Sequence, residues 1–138
     1  MSRVIHTESP STLRKRLLRE IATVLQSGKK AEYSSTEMRD MIAFIAMTLK
    51  KIDESVEQTT AAWEKRGYWL KADRFRLEWS WVGMLAGRME QHLELEDIQA
   101  ALPVLGELAA AMTGIQPKKG ENRNIWKGAW KRWKLQND

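Results

Sequence analysis

Residues 35–67 read STEMRDMIAFIAMTLKKIDESVEQTTAAWEKRG, and two interleaved apolar series run through them. Met38, Ile45, Ile52 and Thr59 stand seven apart, and so do Ile42, Leu49, Val56 and Trp63. A seam repeating every three to four residues over four heptads belongs to a long helix that buries one stripe, and only Thr59 interrupts it. Ser34, three residues ahead of Glu37, supplies a capping box at the start. Gly67 supplies a left-handed stop. The spacing therefore predicts a helix over 35–66.

Working outward, the same pattern recurs downstream. Ala72, Trp79, Ala86 and Leu93 form one series and Phe75, Val82 and Met89 the other, which predicts a helix over 69–93. This helix is apolar on a second side as well, through Leu70, Leu77, Trp81, Met84 and Leu85. Between the two sides runs a strip of small residues, Ser80, Gly83 and Gly87, where a neighbouring backbone has room to approach. A helix with two apolar sides is central or covered by something further. Upstream, Ser9-Pro10 starts a helix carrying Leu13, Leu17, Ile21, Val24 and Leu25, and Gly28 ends it near 27. After 93, acidic Glu96-Asp97 opens a helix with Ile98, Leu102, Leu105, Leu108, Ala109 and Met112, stopped by Thr113-Gly114. Pro103 should kink that helix or divide it in two. A turn at 117–120 then leads to Trp126, Trp130 and Trp133, at i, i+4 and i+7, in a short amphipathic helix over about 123–135.

Short links between long helices make neighbours antiparallel. The expected fold is all-α: an antiparallel four-helix bundle with a long central helical hairpin (about 35–66 and 69–93) and an extra C-terminal amphipathic helix. The expected organisation is a bundle over 1–116 and a basic, Trp-rich arm over 117–138 docked on it. A chain of 138 residues with 43% apolar and 30% charged residues has enough apolar content for one core. The absence of cysteine excludes a disulfide framework and any thiolate metal site. The N-terminus carries no signal-peptide pattern and no stretch is long and apolar enough to span a membrane, so a cytoplasmic location is the expectation.

The net charge of +5 is unevenly laid out. Residues 1–30 carry seven Lys/Arg against two carboxylates, residues 31–116 nine against fourteen, and residues 117–138 seven against two. Both ends are thus basic and the middle is acidic.

Chemistry-bearing patterns are few. His6 and His92 are the only histidines. In Glu90-Gln91-His92 the spacing of two points the side chains apart, whereas a bundle metal site uses i and i+3. The run Glu90, His92, Glu94, Glu96, Asp97 reads as a solvated helix end. There is no P-loop, no glycine-rich dinucleotide motif and no nucleophile motif. No catalytic residue and no cofactor are expected.

Three features carry functional expectations. The C-terminal helix sets three Trp beside Lys127, Lys131, Arg132 and Lys134. That arrangement suits base stacking with phosphate contact, or the interface of an anionic membrane, or simple docking of the Trp stripe on the bundle with the cations left in water. Arg14, Lys15, Arg16 and Arg19 extend the same basic surface if the first helix lies beside the tail; otherwise Arg14, Arg16 and Arg19 pair with acidic residues of the second and fourth helices. The aromatic and basic segment 67–81 reads either as a nucleic-acid surface or as core positions Phe75 and Trp79 with local pairs, Arg74 to Glu78 and Asp73 to Arg76 or Lys71. The leading expectation is a non-enzymatic binding or scaffolding module that contacts nucleic acid or another polyanion through its basic ends. The rival is a homodimer or protein-partner module using Leu77, Trp81, Met84 and Leu85.

Overall fold

The computed structural model describes residues 8–30, 33–118 and 124–137. Five helices form the fold: α1 (Pro10–Lys30), α2 (Ser35–Lys65), α3 (Trp69–Glu94), α4 (Ile98–Ala111) and α5 (Ala129–Asn137). No strand occurs among the described residues. The N-terminal segment with His6, the second half of the turn expected at 117–120, and position 123 lie outside them.

The capping box forms as the sequence dictates. The Glu37 amide donates to Ser34 Oγ at 3.2 Å and the Ser34 amide donates to Glu37 Oε1 at 3.1 Å. At the other end Gly67 adopts φ +82, and the amides of Gly67 and Tyr68 donate to the carbonyls of Glu64 and Trp63. This closes α2 and turns the chain directly into α3. Along the hairpin Arg76 reaches Glu64, Lys50 lies 3.7 Å from Glu90, and Arg39 lies 4.0 Å from Glu96. As numbers rise in α3 they fall in α2, so the two helices run in opposite directions.

α2 touches each of the other four helices. That explains why its burial is broader than one seam: Ala43 and Ala46 are fully buried along with Ile42, Ile45, Leu49 and Ile52. Burying each large aliphatic side chain contributes roughly 1.5–3 kcal/mol, so this helix anchors the core. α1 runs against it with Arg14 beside Ser55 and Gly28 beside Met41. α4 returns along α3, where Arg88 meets Glu107 at 2.7 Å.

Several helix ends differ from the sequence reading. α1 continues through Gly28 to Lys30, because an interior glycine costs only about 1 kcal/mol and Gly28 packs next to Met41. Glu96 belongs to the α3–α4 turn rather than to α4: it takes φ +52, while the Asp97 amide donates to the His92 carbonyl and the Glu96 amide to the Leu93 carbonyl. Asp97 then caps α4 through the Ala100 amide at 3.2 Å. Pro103 does not divide α4, which runs unbroken across it. At the C-terminus residues 124–128 form turns, Gly128 sits at φ +76, and the helix begins only at Ala129.

Candidate interaction surfaces

The C-terminal segment is held from outside itself. Asp40 of α2 accepts the amides of Gly128 (3.1 Å) and Trp130 (3.0 Å), so a side chain of another helix caps the start of α5. Trp126 and Trp133 are buried, at 2% and 3% exposure, in the same core as α2 and α3. Tyr33 meets Trp126 edge to face at 5.7 Å. Trp130 is half-buried, stacked on Trp133 at 5.3 Å with the Arg39 guanidinium 4.4 Å from its ring centre. The indole N–H groups of Trp126 and Trp133 find no acceptor among the described residues. These rings are therefore packing groups, and no exposed row of three Trp is offered to bases or lipid.

The cations of the C-terminal segment point the other way. Lys127, Lys131, Arg132 and Lys134 are all exposed, and none forms an ion pair among the described residues. Arg132 donates to the Lys127 carbonyl at 3.0 Å, and Lys134 lies 5.5 Å from the Trp130 ring centre.

The α1 cluster does not extend this surface as a unit. Arg14 is buried at 6% exposure. It donates to the Ser55 carbonyl at 3.1 Å and to Thr59 Oγ1 at 2.9 Å, and its guanidinium covers Phe75 (4.9 Å) and Trp79 (5.6 Å). Burial holds its pKa below the ordinary arginine value. Arg14 is thus withdrawn from the basic surface: it stands at i−3, i−4 and i−7 from Leu17, Leu18 and Ile21, which puts it on the stripe that packs inward. Arg16 is engaged by Glu8 and Glu20, at 2.8 and 2.7 Å. Lys15 and Arg19 remain exposed. α1 and α5 do not pack on one another.

On α3, the second apolar side divides. Leu85 is buried at 5% exposure and belongs to the core, so it leaves the set of surface anchors. Leu77 and Met84 are exposed at 76% and 58%, and Trp81 is half-buried, stacked on Trp79 at 6.2 Å. Met84 and Leu85 stand at one level of the helix but about 100° apart, so facing separates those two, and helix length bears on Leu77 and Trp81. α4 has 14 residues against 26 in α3, about 21 Å against 39 Å at 1.5 Å per residue. It therefore follows the C-terminal part of α3, where Arg88 reaches it, and stops short of the N-terminal part. The small strip has another use than the one expected. A Cβ on Gly83 would stand 3.1 Å from Asp53 Oδ2, so the strip admits a carboxylate instead of a backbone, and nothing stands within 4 Å of Gly87. Asp53 has its pKa raised, first by burial and then by Glu57 and Glu54.

In the segment 67–81, Asp73 lies 3.5 Å from Arg76, whose principal partner is Glu64. Arg74 has no such pair among the described residues, and Lys71 instead covers the Trp63 ring at 4.4 Å. Phe75 and Trp79 are half-buried, closed over by Arg14. Among the described residues no three His, Asp or Glu side chains converge as a metal site would require. No described helix is long and apolar enough to cross a membrane. Sequence reasoning missed two residues that shape these surfaces: Asp40, which reads as one more solvated acid, and Arg14, whose register on the apolar stripe was the available signal. Comparison with protein-family models, curated proteins and solved structures gave no match.

Proposed function

We propose that this chain is a helical interaction module that self-associates through the uncovered N-terminal part of α3, with a second copy of the same chain as the occupant. The observation that carries this reading is the exposure of Leu77 and Met84 beside half-buried Trp81, all on one side of α3. Leu77, Trp81 and Met84 follow one another at spacings of four and three, the seam spacing of paired helices. In a two-fold antiparallel pairing, Leu77 of one copy faces Trp81 of the other. Charges of both signs border the seam, Asp73 and Glu78 with Lys71 and Arg74, so a copy of itself meets no single-sign field. Within each copy, α1 to α4 are read as an antiparallel four-helix bundle, supported by the pairs Arg14–Ser55, Arg76–Glu64 and Arg88–Glu107.

Three large apolar anchors per copy make a small interface, so association in the micromolar range or weaker is expected. Sedimentation equilibrium of the full chain tests it. The wild type should approach dimer mass as concentration rises. Leu77→Glu should weaken association at least ~30-fold, the loss of an anchor contributing ~2 kcal/mol, with helical circular dichroism unchanged. A wild type that stays monomeric at every concentration would end this reading.

A second reading is favoured by one observation: Lys127 in the turn before α5 and the three cations of α5 lie exposed without ion pairs among the described residues. On that reading the C-terminal segment offers phosphate contacts to nucleic acid or another polyanion by electrostatics alone, without aromatic stacking.

A further inference from the structure

Tyr68, Trp69 and Leu70 follow one another at the α2–α3 turn and are exposed at 54%, 61% and 63%. Large apolar groups presented contiguously to water mark a contact site. Local structure fixes how they are presented. The left-handed Gly67 and the hydrogen bonds that the Gly67 and Tyr68 amides donate to the Glu64 and Trp63 carbonyls close α2, and the Ala72 amide donates to the Tyr68 carbonyl at 3.1 Å to start α3. The backbone is therefore tied on both sides of the apex. Beneath it Trp63 and Phe75 meet edge to face at 5.0 Å, beside a shallow depression of about 590 Å³.

Cations without ion pairs predominate among the charges around the apex. Lys65, Arg66, Lys71 and Arg74 are exposed, and none forms an ion pair among the described residues. The adjacent carboxylates Glu64 and Asp73 are both drawn to Arg76. Glu78, which borders the same depression, stands a full helical turn beyond Arg74.

We propose that this apex inserts into the interface of an anionic lipid bilayer. Tyr68, Trp69 and Leu70 enter the boundary between headgroups and acyl chains, and Lys65, Arg66, Lys71 and Arg74 meet lipid phosphates and carboxylates. Trp and Tyr favour that boundary because their rings are apolar and their tips polar. Lys and Arg lay their methylene stems along it while the charges stay in the headgroups. Exposed aromatics within a border of unpaired cations complement an anionic surface that becomes apolar just beneath its headgroups. This surface shares α3 with the self-association seam but none of its anchors, so each is tested separately.

The test is co-sedimentation of the full chain with phosphatidylcholine vesicles made with and without phosphatidylserine, over a salt series. Binding is expected only with phosphatidylserine and should weaken as salt rises. Trp69→Ser with Leu70→Ser should lower the partition coefficient about tenfold or more, and Lys71→Glu with Arg74→Glu should do the same. Lys131→Glu with Arg132→Glu on α5, which removes the same number of cations, should lower binding less than the Lys71/Arg74 change does. Circular dichroism checks that each variant keeps its helices, and brominated acyl chains should quench wild-type tryptophan fluorescence more than that of Trp69→Phe. No binding to anionic vesicles by the wild type would overturn the proposal. So would binding that survives the Trp69/Leu70 change or falls as far through the α5 change as through the Lys71/Arg74 change, or an apex variant that lowers dimer mass while leaving vesicle binding intact.

Discussion

An arginine beneath a helix with no carboxylate partner is costly unless its donors and its planar face are both used. Arg14 uses both: hydroxyl and carbonyl oxygens of α2 take its N–H groups, and Phe75 and Trp79 lie against its face. Its contribution is to join α1 to the hairpin, not to attract an anion. Asp53 is the opposite case, a carboxylate pushed toward Gly83 with Glu54 and Glu57 close by. Its folded pKa is raised above the reference value of 3.8, so the ionised form is less favourable folded than unfolded. The protein therefore gains stability from this group as pH falls through its folded pKa, and bears the cost of its charge above that pKa. Asp53→Asn should accordingly raise the melting temperature at neutral pH. The gain should shrink toward nothing as pH drops below the folded pKa to the region of 3.8, measured by thermal unfolding across pH. An unchanged or lower melting temperature at neutral pH would contradict the account. From sequence alone Arg14 reads as part of a basic surface, since only the fold brings Phe75 and Trp79 beneath it.

Elements were more legible than their ends. α2 and α3 follow from local periodicity, because a heptad seam has one helical solution whatever it packs against. Their Gly67 junction follows from the one residue type suited to positive φ. Ends set by tertiary contact were not readable. Glu96 accepts a left-handed backbone with no glycine to announce it, and α5 starts late because Gly128 turns and Asp40 caps from another helix. That cap makes a prediction about α5 as a unit. Two amides share one carboxylate, so Asp40→Ala should destabilise the docked C-terminus by about 1–2 kcal/mol. Hydrogen exchange should quicken in 128–137 while the amides of α2 and α3 keep their protection. Fluorescence of Trp126, Trp130 and Trp133 should shift toward that of hydrated indole. If protection falls uniformly over all five helices instead, α5 is part of the global unfolding unit and the cap has no separate role.

At the scale of the molecule, the basic ends identified in the sequence are separated by function in the fold. Arg14 is inside, Arg16 is held by Glu8 and Glu20, Lys15 and Arg19 stay exposed on α1, and the largest exposed group is the outward side of the C-terminal segment. The sequence could count these charges but could not sort them, because sorting depends on which carboxylates the fold brings near. A consequence is open to measurement. If the C-terminal segment meets a polyanion, the contact is electrostatic, since Trp126 and Trp133 are enclosed and cannot stack on bases. Four cations then set an upper limit: the slope of log affinity against log salt for duplex DNA should be no steeper than about −3.6, and insensitive to sequence. Lys131→Glu with Arg132→Glu should make that slope shallower by about 2, while Arg16→Gln, at a residue already paired, should leave it unchanged. Fluorescence anisotropy of a labelled duplex over a salt series reads both. A steeper slope would require cations beyond those of this segment, and strong sequence preference would require base contacts that its lysines and arginine do not by themselves supply.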